Sequence, residues 1–283
     1  MLVTVIIPAM NRAELIGRAL GSARRQTHPP SEILVIDDAS TDATAEVARA
    51  HGATVVTMPQ RGGSGPARNA GIQQATGTWM AFLDSDDEWD PDHLATVLAA
   101  AEEHVLVTSP ARTSSDRLMG NSTGRDVPLT PHDLLVPGNV VVTSGTVARR
   151  DALLSIGGFR SLQGAEDLDV WLRLLELGSG RALGRPTLTY HEHGSQSSGD
   201  RDRTHRAFQS ILDNCEGKPW FTPRVRVQSN AWMAWDRIRS AQRSRAWLDA
   251  GRHALWFAQH PVAVPTLVRV LAQRRRSRAF GGA

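Results

Sequence analysis

The chain has 283 residues, a formal net charge of +3 and a single cysteine, Cys215. This length accommodates one large domain, or a medium domain with an appendage, and either can bury a core without cross-links. A lone cysteine excludes an intrachain disulfide and favours a reducing compartment such as the cytoplasm. The first residues lack a basic segment and a cleavage site, and no apolar stretch reaches the roughly 18 residues of a membrane-spanning helix. We therefore expect neither secretion nor a transmembrane segment.

Strands of the buried type alternate with helical segments through the first hundred residues. Runs rich in β-branched and apolar residues predict strands at residues 3–7, 32–36, 54–58 and 79–83, and the last of these runs is continuously apolar. Helical spacing of apolar residues predicts helices from the cap at Asn11 to residue 23, and at 43–51, 67–75 and 92–104. This alternation indicates an α/β fold with a mostly parallel, Rossmann-like sheet flanked by helices.

The pattern is less regular in the second half of the chain. It predicts strands at residues 105–107 and 139–142, helices at 149–155 and 166–177, and a loop at 109–138. From residue 204 onward, Trp, Leu, Ile and Ala mix with Arg at helical spacing, interrupted by prolines. We therefore divide the chain into an α/β domain at residues 1–200 and a helical C-terminal appendage at residues 201–283.

Acidic side chains follow two of the predicted parallel strands, so they face the same rim of the sheet, where ligands bind in such folds. Asp86 suits a hard divalent cation that keeps water and diphosphate oxygens as ligands. Asp38 could accept hydrogen bonds from a nucleobase or a ribose hydroxyl, and Arg68 could pair with a diphosphate. A solvated acidic turn, an Asx turn and a surface arginine remain open as plainer interpretations.

Six motifs, in order over about residues 3–195, resemble the family-two inverting glycosyltransferases. They are Val5-Ile6-Ile7-Pro8 with Asn11-Arg12, Val35 to Asp42, Ala67-Arg68-Asn69-Ala70-Gly71, Leu83-Asp84-Ser85-Asp86-Asp87, Gly157-Gly158-Phe159, and Glu166 to Arg173. The resemblance implies a GT-A fold, a nucleotide-diphosphate sugar donor and a divalent metal, Mg²⁺ or Mn²⁺. The last 80 or so residues lie outside it.

The resemblance also assigns roles to individual residues. The nucleotide sugar would be bound by Pro8, Ala9, Asn11, Asp38, Arg68, Asp84 and Ser85. Asp86 would hold the metal with His193 completing its shell, and Asp167 would be the catalytic base. Acids in the first turn of a helix, as at Glu166 and Asp167, also stabilise the helix itself. Met10 stands where the family usually has an aromatic residue, which leaves the base of the nucleotide open.

These expectations define an inverting, non-processive, metal-assisted glycosyltransferase. The Gln-x-x-Arg-Trp element of processive synthases is absent. Alternatives are a sugar-phosphate nucleotidyltransferase or a non-catalytic sugar-nucleotide-binding relative. The acceptor would be a glycan, a lipid-linked molecule or a small molecule, and no nucleic acid is expected. The arginines of residues 274–278 are either a solvated tail or a contact with the inner face of the membrane. The glycines of residues 62–65 lack the lysine of a phosphate-binding loop.

Overall fold

The structure is a computed structural model that describes residues 1–136, 140–162, 164–192, 201–243, 255, 257, 259–265 and 268. The chain divides into two compact units. The first comprises residues 1–130 and 140–207, and the second comprises residues 131–139 and 208–283.

The first unit is a mixed α/β structure. Its strands are β1 (Val3–Ala9), β2 (Glu32–Asp37), β3 (Thr54–Thr57), β4 (Trp79–Phe82), β5 (Glu88–Trp89), β6 (Leu106–Thr108), β7 (Ala111–Thr113), β8 (Leu118–Met119), β9 (Val127–Leu129), β10 (Thr146–Arg149), β11 (Gly180–Ala182) and β12 (Leu188–Tyr190). Its helices are α1 (Ile16–Arg24), α2 (Thr44–Ala50), α3 (Ser64–Gln74), α4 (His93–Ala99), α6 (Arg150–Ser155) and α7 (Glu166–Leu175), while α5 (Pro131–Leu135) lies in the second unit.

The main sheet has the strand order β3-β2-β1-β4-β10-β6-β11-β9. Strand β1 pairs in parallel with both β2 and β4, and β10 runs antiparallel between β4 and β6. A smaller sheet has the order β5-β12-β7-β8. Because β1, β2 and β4 are parallel, the polar residues that follow each of them meet at one edge, called here the carboxyl rim.

Helices α3 and α7 pack closely on the sheet because glycine and aromatic residues fit the space between helix and sheet. A Cβ atom on Gly71 of α3 would lie 2.7 Å from Ile6 Cγ2 of β1, so only glycine lets this helix approach so near. On the same unit, Phe82, Phe159 and Trp171 pack edge to face with ring centroids 5.6–5.7 Å apart. These contacts fix α3 and α7 against the sheet, and both helices carry candidate site residues.

The predicted α/β class with a mostly parallel sheet is confirmed, but three details of the sequence prediction are wrong. The first helix begins at Ile16 of α1 rather than at a cap on Asn11. Residues 109–138 are not one loop, because they contain β7, β8, β9 and α5. The prediction treated the prolines of this stretch as loop residues. Pro128, however, lies in β9, an edge strand, and proline is tolerated on edge strands. The strand expected at 139–142 lies further on, at β10, and among its described residues 140–142 no strand occurs.

The described residues beyond 200 are mainly helical. Helix α8 (Arg201–Asn214) crosses the division between the units, and α9 (Pro223–Arg243) and a 3₁₀ turn (Pro261–Ala263) belong to the second. In the part of the chain that was described, no helix has the length and apolar character needed to cross a membrane. The arginines at 274–278 lie outside the described residues.

Candidate active site

The acidic turn, residues 84–87, leaves β4 at the carboxyl rim. Leu83 is fully buried and anchors the turn by donating its N–H to the carbonyl of Ile6 in β1. Ser85 and Asp87 are buried, whereas Asp84 and Asp86 are partly exposed. Two carboxylates of the turn are therefore accessible to a ligand and a third is enclosed by protein.

Ser144, which sits in a short 3₁₀ turn, shapes the acidic turn. Its hydroxyl donates to Asp87 Oδ2 at 2.5 Å and accepts the backbone N–H of Asp84 at 3.1 Å. Its carbonyl accepts the indole N–H of Trp89 at 2.5 Å, and Trp89 is a core residue with 2 % exposure. Sequence reasoning missed Ser144 because nothing in its neighbourhood indicates a partner some 60 residues away.

Arg68 on α3 is the cation of the carboxyl rim. Its Nη2 lies 2.7 Å from Asp84 Oδ1, its Nη1 lies 3.9 Å from Glu166 Oε1, and its guanidinium carbon lies 5.4 Å from the centre of the Phe159 ring. Burial alone would lower the pKa of Arg68, but Asp84, Glu166 and Asp167 raise it above its ordinary value. Arg68 thus stays charged and links the acidic turn to the start of α7.

Asp167 occupies the first turn of α7. Burial raises its pKa to about 6, and the charges of Glu166 and Asp84 act in the same direction. The backbone N–H of Leu168, which donates to Asp167 Oδ1 at 2.7 Å, and the positive charge of Arg68 oppose this rise in the pKa. A carboxylate with such a pKa is ionised at neutral pH yet holds a proton more strongly than an exposed aspartate, which suits a general base.

Asp38 follows β2 on the same rim and is 4 % exposed. Its Oδ1 accepts the N–H of Gly62 at 2.6 Å, and its Oδ2 accepts the N–H of Gly63 at 2.7 Å. Residues 62–64 are called here the glycine strap. Each oxygen of a carboxylate has two acceptor positions, so Asp38 holds the strap and retains capacity for a further donor. Ala9 lies beside it and accepts the Asp38 N–H at 2.8 Å.

Pro8 and Asn11 lie at the end of β1. Pro8 is opposite Ile36 in the register of β1 and β2. Asn11 has a φ of 52°, donates its N–H to Ser40 Oγ at 2.9 Å and accepts the N–H of Thr41 at 2.8 Å. Asparagine tolerates this left-handed conformation better than most residues. The two hydrogen bonds of Asn11 join the loop after β1 to the loop after β2.

Two motifs that the sequence singled out connect elements of the first unit. The side-chain amide of Asn69 donates to the Phe159 carbonyl at 2.7 Å and accepts the Phe159 N–H at 2.8 Å. Arg173 of α7 donates to Asp169 and, at 2.6 Å, to the Gly158 carbonyl. These residues therefore hold α3 and α7 to the same backbone segment.

The histidines before residue 194 are only partly described. His193 lies outside the described residues. The N–H of His191 donates to Asp87 Oδ1 at 3.3 Å, and burial and the charge of Arg18 lower the pKa of the His191 imidazole. Burial, together with the charges of Asp84 and Asp86, raises the pKa of Asp87 to about 8. Within the described part of the chain, no group of three or more His, Cys, Asp or Glu residues is arranged to hold a metal ion.

The sheet and its carboxyl rim define the class of protein. A large, mostly parallel sheet flanked by helices, with an acidic turn at the end of a central strand, is the GT-A arrangement. Residues 4–153 match the family described as Glycosyl transferase family 2, and the chain belongs to this family. The resemblance inferred from the sequence motifs is thereby confirmed.

One protein named as a glycosyltransferase is similar in sequence to part of this chain. The putative teichuronic acid biosynthesis glycosyltransferase TuaG of Bacillus subtilis is 37 % identical over 98 residues, which is 33 % of this chain and 39 % of that protein. This chain therefore matches well under half the length of that relative.

Two solved structures share the fold. TarS of S. aureus in complex with UDP-GlcNAc has a TM-score of 0.68 at 19 % identity, covering 86 % of this chain and 73 % of that one. The mannosyltransferase PcManGT from Pyrobaculum calidifontis, in complex with GDP-Man and Mn²⁺, has a TM-score of 0.63 at 22 % identity, covering 95 % and 86 %.

Proposed function

We propose that the protein is an inverting, non-processive glycosyltransferase that moves one sugar from a nucleotide-diphosphate donor to an acceptor hydroxyl. Asp167 is its general base, and Asp86 would hold a divalent metal that assists departure of the diphosphate. Family membership and the relatives named as glycosyltransferases support the reaction class. We assign the activity to residues 1–200 and treat residues 201–283 as a helical appendage.

The observation that carries this proposal is the position of Arg68 between two groups of carboxylates. It pairs with Asp84 of the acidic turn at 2.7 Å and lies 3.9 Å from Glu166, the residue before Asp167. A diphosphate bound by this cation would lie next to a base whose pKa is about 6, and this supports the proposal. The same rim carries Asp38, on which a nucleobase or ribose could hydrogen bond.

The acidic turn fits a hard divalent cation. Its two accessible aspartates, Asp84 and Asp86, offer only carboxylate oxygens, the ligands that Mg²⁺ and Mn²⁺ prefer, and crowding like charges on one turn favours a cation beside them. Such ions are commonly held by one or two carboxylates together with substrate phosphates, so a large set of protein ligands is not required. Asp86, with His193, would hold Mg²⁺ or Mn²⁺, which would stabilise the negative charge of the leaving diphosphate.

The chain's own residues supply the remaining chemistry. Asp167 accepts the proton of the acceptor hydroxyl as it attacks the anomeric carbon from the side opposite the nucleotide, which inverts the configuration. Arg68 and Asp84 position the diphosphate side of the donor, with Ser85 next to them. Pro8, Ala9, Asn11 and Asp38 contact the nucleoside. A base of this kind contributes about 10²–10⁴ to the rate.

The proposal also covers partners and location. The donor is a nucleotide-diphosphate sugar, as in the complexes of TarS with UDP-GlcNAc and of PcManGT with GDP-Man. The acceptor is a glycan, a lipid-linked molecule or a small molecule. We place the protein in the cytoplasm, where the basic residues 274–278 would allow a peripheral contact with the inner face of the membrane.

Release of free nucleoside diphosphate tests the proposal. The purified protein is incubated with a panel of UDP- and GDP-sugars, with Mg²⁺, with Mn²⁺ or with chelator, and with candidate acceptors. We expect metal-dependent release of nucleoside diphosphate from at least one donor. A nucleotidyltransferase would instead form pyrophosphate from a nucleoside triphosphate and a sugar phosphate, and a non-catalytic relative would bind a donor without consuming it.

Asp151→Asn is a matched control for substitutions at the rim. It changes the same carboxylate to the same amide, on a residue that follows the end of β10. Arg149 of β10 pairs with Trp79 at the start of β4, so Asp151 lies at the edge of the sheet opposite the carboxyl rim. Its transfer rate should therefore match that of the unaltered protein.

A further inference from the structure

The glycine strap is held by carboxylates at both of its ends. Asp38 binds the N–H groups of Gly62 and Gly63 at 2.6 and 2.7 Å. At the other end, the Ser64 hydroxyl donates to Oε1 of Glu166. The strap thus runs from the nucleoside side of the proposed site to the first residue of α7.

Glu166 is itself fixed by several groups. Its Oε1 accepts from Ser64, and its Oε2 accepts the N–H of Gly164 at 2.9 Å. Arg68 Nη1 lies 3.9 Å from Oε1, and the Glu166 side chain is only 16 % exposed. A Cβ atom on Gly65 would lie 3.5 Å from Glu166 Cγ, so the first turn of α3 packs closely against this side chain. A negative charge is therefore held in one place directly before Asp167.

Stabilisation of the α7 N-terminus does not account for this arrangement. An acidic residue in a first turn gains about 0.3–1 kcal/mol from the helix dipole wherever its carboxylate lies near the terminus. That effect requires no hydroxyl from another helix. The Ser64 contact joins residues 102 positions apart in the chain, and it orients Glu166 toward the strap.

We propose that Glu166, held in place by Ser64, is a positioning residue that keeps a negative charge fixed beside Asp167 while Asp167 accepts its proton. The inference rests on the proposed role of Asp167 as the base. The charged groups near Asp167 are Glu166 and Asp84, which strengthen its hold on a proton, and Arg68, which weakens it. Because the glycine strap also binds Asp38, the Ser64–Glu166 pair links the nucleoside side of the site to Asp167.

The first test measures the Asp167 carboxyl directly. The protein is labelled with ¹³C at aspartate carboxyl carbons, and the Asp167 signal is assigned by its loss in Asp167→Asn. Removing the Glu166 charge in Glu166→Gln should lower the Asp167 pKa by about one pH unit, a size typical of a close carboxylate neighbour. An Asp167 titration that does not move in Glu166→Gln rejects the proposal, and it does so whether or not the protein transfers sugar.

The second test is a double-mutant cycle in kcat between Ser64 and Glu166. Ser64→Ala should lower kcat about tenfold with the donor KM within about twofold, as expected when an interaction matters mainly in the transition state. Ser64→Thr, which keeps the hydroxyl, should restore it. The double variant should be no slower than Glu166→Gln alone, since coupled residues are not additive. Additive losses in the cycle, or no recovery with threonine, contradict the pairing.

Thr76→Ala is the control for truncating a hydroxyl. The Thr76 hydroxyl also donates to a glutamate, Glu32, at 3.2 Å, but at the start of β2, which lies at the edge of the sheet opposite the carboxyl rim. Its kcat should equal that of the unaltered protein. If the unaltered protein releases no nucleoside diphosphate from any donor, the proposed function fails, while the carboxyl titration still decides whether Glu166 controls Asp167.

Discussion

Asp167→Asn should cost activity and raise stability at once. The substitution removes the proton acceptor, so transfer should fall by about two to four orders of magnitude while donor affinity stays nearly unchanged. The amide oxygen of asparagine can still accept the Leu168 N–H that now donates to Asp167 Oδ1 at 2.7 Å. The local backbone should therefore be preserved, and the loss of rate should be chemical.

The gain in stability follows from the raised pKa of Asp167. The folded value is about 6, compared with an ordinary value of 3.8. The folded state therefore binds the proton more tightly than the unfolded state, and its stability falls as the pH rises from about 4 to about 6. At 1.36 kcal/mol per pKa unit the full penalty would be about 3 kcal/mol. Because Asp167 is partly exposed, solvent reduces this to about 1–2 kcal/mol.

Thermal unfolding and kinetics together check this prediction. At pH 7.5 the Tm of Asp167→Asn should exceed that of the unaltered protein by about 2–6 °C, and the difference should vanish near pH 4. The kcat/KM of the unaltered protein should fall about tenfold per pH unit below about pH 6. A variant that transfers sugar within tenfold of the unaltered rate refutes the base assignment. If Asp167→Asn loses transfer activity but its Tm does not rise, the argument that burial raises the pKa of Asp167 is refuted.

Three further substitutions test other parts of the first unit. Asp86→Ala should abolish the metal dependence of donor binding in calorimetry; a donor that binds equally well in chelator would show that the acidic turn holds no ion. Asn69→Ala should destabilise the fold by about 1–3 kcal/mol in urea unfolding, because the Phe159 N–H and carbonyl lose their partner; an unchanged midpoint would mean that water replaces the amide. Gly71→Ala should cost about 1–3 kcal/mol through the 2.7 Å approach to Ile6, and a stabilised variant would show that the helix can shift.

The sequence predicted the first four strands of the main sheet well because these strands and their helices follow local patterns. The strands predicted at residues 3–7, 32–36, 54–58 and 79–83 correspond to β1, β2, β3 and β4. Each is a short run rich in β-branched and apolar residues, and each is followed by a helix with apolar residues at helical spacing. From parallel strands alone, one can conclude that Asp38 and Asp84 face the same rim.

The sequence could not reveal contacts that depend on distant partners. Ser144 reaches Asp84 across 60 positions and Ser64 reaches Glu166 across 102, and no local pattern distinguishes either serine from a surface residue. The same limit explains β9 and β10, whose pairing is decided by neighbours in the sheet rather than by their own short sequences. The residues that hold the proposed site in shape are therefore less visible in sequence than those that carry its charges.

Chemical and structural duties are divided within single motifs. In the segment 67–71, Arg68 faces the carboxylates of the rim, Asn69 holds the backbone at Phe159, and Gly71 allows contact with β1. The pairing of Arg68 depends on the helix position that the other two residues determine. Loss of activity after substitution at Asn69 or Gly71 would consequently reflect displaced charge, whereas a loss at Arg68 with unchanged stability would reflect the charge itself. Measuring the free energy of unfolding together with the rate of sugar transfer therefore separates the structural role from the chemical role at each position.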